Sequence, residues 1–292
     1  MKRGARSGQP VDVLGVQVNS ITKRELLAAL RADVRAGRRV RIVTVTNEII
    51  MRAAGDSAYR RLVNAADYRI PDSAGTLWAA TYLAKPLRGP FKRVRLWTQA
   101  WVLLVWLAVR PGRAKRVITE TVPGSELSVD LAALCAREQR GLYLLGGGPG
   151  VADAAAVRLR ERFPELSVTA SGDDPLPRHD RTVRQKIKQA RSQVVLLAYD
   201  APDQVKWMSR NVGTLPKPVV TMGVGGTLDY LAGASSVHGG GAAKQPPATV
   251  RRHGFEWLWR LLTQPSRWRR IVTALPKFVG AVVRQKRTRL GL

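Results

Sequence analysis

A chain of 292 residues, 45% of them apolar, can bury one large core or two modest ones and is too apolar to be a disordered protein. Its 49 Lys and Arg against 21 Asp and Glu leave a net charge of +28, which points to an anionic partner: nucleic acid, phospholipid or a phosphorylated substrate. A single cysteine, Cys135, rules out an internal disulfide, and the scattered His179, His238 and His253 have no metal-ligand spacing, so no metal site is expected.

Residues 1–10 are basic without an apolar core; they read as a disordered leader and not as a signal peptide. Val11–Val18 alternates apolar and polar residues, as a first strand does, and Leu26, Leu27 and Leu30 then mark one face of a helix. Val40, Ile42, Val43 and Val45 form a β-branched run fit for a buried strand. Ile49, Ile50, Ala53 and Ala54 follow at helical spacing, Ala65–Ile70 is a second short strand, and a Pro-Asp-Ser-Ala-Gly loop opens the next helix, Thr76–Leu83. Asp72 in that loop stands either in the crevice at the strand's carboxyl end or as a plain helix N-cap.

Leu96–Val109 is an apolar segment bracketed by Lys92, Arg93, Arg95, Arg110, Arg113, Lys115 and Arg116. As a helix it is only about 21 Å long, short of the roughly 30 Å of a bilayer core. Its tryptophans at 97, 101 and 106 suit the headgroup zone, so it reads as interfacial or re-entrant, with a buried core helix as the next alternative and a true membrane span as the last. Cys135 lies on the apolar face of a helix beginning near Ser125 and is expected to be inert.

The second half alternates again. Strand Gly141–Leu145 runs into a glycine-rich turn with Gly146 and Gly147, then a helix from Val151 to Phe163. Such a turn can offer N–H groups to a phosphate, or serve only tight packing. Strand Leu166–Ala170, a polar loop at 171–180, helix Thr182–Ala190 and strand Gln193–Ala198 lead to Gln204. Strand Pro218–Met222 delivers Gly223, Gly225 and Gly226, with Asp229 just beyond as a ribose ligand or a helix cap. Residues 234–248 are Gly/Pro-rich, a flexible linker. The end, 249–292, is basic, Trp-rich and amphipathic, which fits a membrane surface; packing on the core suits 255–262 better than 267–292.

This order implies an α/β, Rossmann-like fold: a mostly parallel sheet flanked by helices, with a basic amphipathic helical C-terminal appendage. The main domain is 11–233, carrying the inserted apolar segment 88–116. Nucleic-acid binding would rest on charge alone, because the basic residues interleave with Trp at helical spacing and form no stacking platform; no nucleic acid is expected.

Thr44, Glu48, Ala66, Asp67, Pro71 and Asp72 match a pattern Thr-x-Asn-x-Glu followed by Ala-Asp-x-x-x-Pro-Asp-Gly. Leu144–Ala152, Pro202, Gln204 and Trp207, Gly223–Gly233, and Glu256-Trp257 match further blocks. In these the chain resembles the WecG/TagA/CpsF family (glycosyltransferase family 26). It departs at Thr46 (Asn in the family, with Asn47 beside it), Ser73 (Gly), Thr121 (Arg), Asp200 (Gly) and around Gln245, where a second family arginine is absent. The resemblance implies inverting transfer of an N-acetylmannosamine-type sugar from a UDP-sugar to a polyprenyl-diphosphate-linked sugar in cell-surface polysaccharide or teichoic-acid-type synthesis. Asp72 would be the general base, with no cofactor. Thr44, Thr46, Asn47, Gln204, Gly146, Gly147, Gly223, Gly225, Gly226 and Asp229 would hold substrates, and Arg260 would stand in for a missing cation. The setting implied is cytoplasmic, peripheral on the inner face of the cell membrane and against its anionic surface, with a homo-oligomer left open. The alternative is a catalytically degenerate relative that binds nucleotide sugar or lipid at the membrane.

Overall fold

The computed structural model describes residues 8–87, 89–109, 117–118, 120–233, 235–236, 240–242 and 268–292. At its centre is a six-stranded parallel sheet: β3 (Arg39–Val45), β4 (Tyr68–Pro71), β5 (Gly141–Gly146), β6 (Val168–Ser171), β7 (Ser192–Ala198) and β8 (Val219–Gly223), in the order β4-β3-β8-β7-β5-β6. Every strand is parallel to its neighbours, so all six carboxyl ends share one edge.

Both faces of this sheet are buried, which explains the near-continuous apolar runs of its strands. Side chains alternate between the faces with period two. Leu142, Leu144, Val194 and Leu196 join Val40, Ile42, Val220 and Met222 on one side. That side is covered by α1 (Lys23–Arg35), α6 (Gly124–Arg137), α7 (Val151–Arg162) and α10 (Thr227–Ala232). Tyr143, Leu145, Val195 and Leu197 face the other way with Val43 and Val45. There α2 (Asn47–Gly55), α3 (Ser57–Asn64), α4 (Ala74–Ala84), α5 (Lys92–Val109), α8 (Asp180–Gln189), α9 (Ala201–Asn211) and the C-terminal α11 (Trp268–Arg289) supply the cover. Cys135 lies on the buried face of α6, and burial pushes its thiol up to about 12, as an inert core residue requires.

Three expectations need correction. The stretch Val11–Val18 is no single strand but a hairpin, β1 (Gly8–Val13) and β2 (Val16–Ser20), turned at Leu14 and Gly15, both with positive φ, and its first strand takes in Gly8, Gln9 and Pro10 of the expected leader. Two successive positive-φ residues are the tight turn that suits the twist of a hairpin. The hairpin shields the β4 edge, where Arg69 N donates to Asn19 Oδ1 at 2.7 Å and Arg69 Nε to Gln17 O at 2.6 Å.

The second correction concerns the basic end. From Leu275 onward α11 packs on the α/β core: Phe278, Val279, Val282 and Val283 are almost wholly buried beside Trp78 and Tyr82. Lys286 is buried too and donates to Tyr82 O, Lys85 O and Gln99 Oε1 at 2.6–2.7 Å, capping the C-terminus of α4. Residues 255–262 lie outside the described residues. Third, within the supposed linker Ser235–Ser236 and Gly240–Ala242 pair as a small antiparallel ribbon; the rest of 234–248 lies outside the described residues.

The apolar segment 96–109 is helical, with Leu96 and Ala100 buried against α4 and α11 and with Trp97 and Trp101 exposed on its other side. Among the described residues no helix is long and apolar enough to cross a membrane.

Candidate active site

Asp72 follows β4 directly, and its N–H donates to Val45 O at 3.2 Å, which ties it to the end of β3. It is not the cap of α4. That role belongs to Ser73, whose hydroxyl accepts from Thr76 N at 3.2 Å. The half-buried carboxylate of Asp72 is left to reach across the edge, and its Oδ1 accepts from Gly124 N at 2.7 Å. Gly124 is the first residue of α6, so the carboxylate meets the positive end of a helix.

The loop bearing Asp72 is braced from β3. Asn47 opens α2, and its Oδ1 accepts from Ser73 Oγ at 3.1 Å; Thr76 Oγ1 donates to Val45 O at 3.0 Å. Asn47 fills the space over Gly75, where a Cβ would lie 2.2 Å from Asn47 Nδ2. Gly75 therefore admits a neighbouring side chain and not a ligand. Thr46 is the N-cap of α2, its hydroxyl accepting from Ile49 N at 3.4 Å. Thr44 is buried; its Oγ1 donates to Gly223 O at 3.0 Å and its methyl packs on Gly124.

Next along the edge, Gln204 is 3% exposed beneath the turn after β8. Its Oε1 accepts from Gly225 N at 3.2 Å, and a Cβ on Gly223 would come within 2.5 Å of its Cδ. Gln204 thus shapes the glycine turn from below. Gly225 and Gly226 form the open lip of that turn, and half-exposed Asp229 sits in the first turn of α10 behind it.

Gly146 and Gly147 end β5, two strands beyond β8. Gly146 is buried beneath the Tyr199 ring, whose hydroxyl donates to Asp173 O at 2.7 Å, while Gly147 N donates to Ala198 O at 2.9 Å. Burial pushes the Tyr199 phenol well above its usual value, which leaves it a neutral donor. Burial also opposes ionisation of Asp173, yet hydrogen bonds from Lys186, at 2.8 Å, and Ser171 hold its carboxyl below the usual range. Asp173 is therefore committed to an ion pair.

Thr44, Asn47, Asp72, Gln204, Gly223 and Gly225 are thus one connected group over β4, β3 and β8, with Gly146 and Gly147 farther along the same rim. Arg260 lies outside the described residues. Local sequence gave no sign of Gly124 as the partner of Asp72, since the two are 52 positions apart. The role of Ser73 was legible as a Ser just ahead of a helix. Among the described residues no three His, Cys, Asp or Glu side chains gather as metal ligands.

A parallel α/β sheet with a braced carboxylate and two glycine turns along its carboxyl edge is a Rossmann-like enzyme scaffold. The model of the Glycosyl transferase WecG/TagA/CpsF family matches residues 11–101 and 101–291, so the chain belongs to that family and is a glycosyltransferase. The two matched stretches meet at Trp101, inside α5. A protein of Staphylococcus aureus (strain NCTC 8325 / PS 47) named N-acetylglucosaminyldiphosphoundecaprenol N-acetyl-beta-D-mannosaminyltransferase is 25% identical over 281 residues, 95% of this chain and 93% of its own length. The protein of the same name from strain MRSA252 is similar to the same degree.

Proposed function

We propose that this glycosyltransferase moves an N-acetylmannosamine-type sugar from a UDP-sugar to a polyprenyl-diphosphate-linked sugar, in cell-surface polysaccharide or teichoic-acid-type synthesis. The work is done at the anionic inner face of the cell membrane. The sugar moved and the lipid-diphosphate-linked acceptor follow the names of the relatives, the UDP donor follows the family resemblance, and the residues that would handle them come from this chain's own edge.

Asp72 is the general base. It takes the proton of the acceptor hydroxyl as that oxygen attacks the anomeric carbon, while the bond from that carbon to the diphosphate breaks with inversion and UDP leaves. A base must be held still within hydrogen-bond reach of its proton. The observation that carries this role is the bracing of Asp72 by Val45 O, Gly124 N and the Asn47–Ser73 pair. The glycine turns after β5 and β8 offer backbone N–H groups to the leaving diphosphate, with Lys and Arg supplying the remaining positive charge. No cofactor is required.

Asp72→Asn tests the assignment. The amide oxygen can still accept from Gly124 N, so fold and UDP-sugar binding should persist, while turnover falls by about 10²–10⁴, the usual worth of a general base. UDP release assayed with a short-chain lipid-diphosphate acceptor reads it, and turnover near that of the wild type would remove Asp72 from the role.

A further inference from the structure

Of the nine large apolar side chains exposed among the described residues, six lie on α5 and its entry: Phe91, Val94, Trp97, Trp101, Val102 and Val105, each 46–80% exposed. The helix is apolar on two sides. Leu96 and Ala100 are buried against the core with Leu103 and Leu104 partly covered, and the exposed set projects from the far side. A helix packed on a soluble core ordinarily turns a polar face outward, so a contiguous apolar patch of this kind marks an interaction surface.

The surrounding charge selects the occupant. Lys92, Arg93 and Arg95 are exposed in the first turns of α5, and the chain from Ser73 to Thr119 contains neither Asp nor Glu. Beside it runs α11, with Gly280 next to the Trp97 ring; it exposes Lys277 and Arg284 and has no acidic residue. A second copy docking here would set cations against cations. An anionic bilayer satisfies both parts: indoles sit at headgroup level, Phe and Val reach the acyl boundary, and Lys and Arg meet the phosphates. With its other face in the core, α5 has to lie along the membrane plane.

We propose that the outer face of α5 is the element that docks this protein on an anionic bilayer, with Trp97 and Trp101 as its inserted anchors. The purpose of the docking rests on the function proposed above. Trp78 Nε1 donates to Ala100 O at 3.2 Å and Tyr82 OH to Leu96 O at 3.0 Å, so α5 is fastened to α4, and α4 begins at the Asp72 loop. Docking α5 therefore sets the position of the Asp72 crevice relative to a lipid-carried acceptor.

The test compares the full chain with a Trp97→Ser/Trp101→Ser variant and with Val157→Ser, a control at an exposed valine on α7. Sedimentation with phosphatidylglycerol-containing vesicles and with neutral vesicles gives affinity, and bromine-labelled lipid quenching Trp fluorescence gives depth. Thermal melts check that both variants fold. Vesicle binding needs no turnover, so it is read independently of the proposed chemistry. The wild type and Val157→Ser should bind anionic vesicles alike, and the double variant should bind on the order of tenfold or more weakly while keeping its turnover on a water-soluble acceptor. Equal vesicle binding by the double variant would overturn the proposal. So would a wild type that binds no vesicle, or one that forms a dimer lost in the double variant without binding lipid.

Discussion

Asn47 and Ser73 stand at or beside two departures from the family pattern, and they are bonded to each other. Thr46, in the place of the family's Asn, has become the cap of α2, while Asn47 beside it takes the hydroxyl of Ser73, which replaces a glycine. The second change is answered by the neighbour of the first, which argues against reading either as decay of the site. Asn47→Ala should then leave the fold intact and lower kcat by up to about 10²-fold with little change in KM, because what it removes is placement of the base proposed above, Asp72. Gly75→Ala, pushing on the same amide, should act alike, and the double variant should lose less than the sum of the two. Steady-state kinetics beside a thermal melt reads this; additive losses would separate Asn47 from Gly75. Asp72 itself was legible, because Pro-Asp after a short strand is a local pattern. Its partner Gly124, and the placement of Gln204 beneath the glycine turn, were not legible, since both depend on which strands become neighbours.

At the scale of elements, α5 and α11 show what periodicity leaves open. A 3.6-residue repeat of apolar side chains says that a helix has a face to cover, and a bilayer or a protein core covers it equally well. The basic residues of α11 favoured the bilayer, yet its face from Leu275 onward is closed by α4 and α5, with Phe278 6.1 Å from Trp78, which in turn stacks on Tyr82 at 5.3 Å. Removing 267–292 would therefore strip the core and cannot isolate anchoring. Phe278→Ala should cost about 3–5 kcal/mol, read as a lower denaturation midpoint. Lys286 misleads in the same way: a charge near the end of a basic helix reads as surface, but this one is buried over the last turn of α4. Burial first, then the nearby charge of Lys85, lowers it to about 8 from the usual 10.5. Between those two values the unfolded chain holds more protons than the folded one, so this group makes stability rise with pH across about 8 to 10.5. The stability difference between wild type and Lys286→Met should widen in the wild type's favour over that window, in denaturation measured at each pH. A flat difference would mean that Lys286 titrates alike in both states.

The molecule as a whole brings one edge of a parallel sheet and a strongly positive body to the same task. Alternating β and α patterns announced the sheet and its two covers, but not that β8 would slot between β3 and β7 to set Gly223 beside Thr44; strand order depends on long-range packing that no local pattern encodes. Because the diphosphate donors proposed here are backbone N–H groups and cationic side chains, activity should survive EDTA, and loss on chelation with recovery on adding Mg²⁺ or Mn²⁺ would refute that part. The net charge of +28 carries a prediction of its own. If its chief use is attraction to an anionic membrane, salt should act on the encounter and not on the chemistry. Raising ionic strength from about 0.1 M to about 1 M shortens the screening length from roughly 10 Å to 3 Å. Turnover on an acceptor embedded in anionic vesicles should then fall severalfold, in step with the vesicle-bound fraction, while turnover on a short-chain acceptor in solution changes little. In neutral vesicles the salt effect should largely vanish, leaving only what the apolar face of α5 supplies. A parallel fall on soluble and embedded acceptors would place the useful charge at the crevice, on the substrate diphosphates, and would turn attention to Arg260.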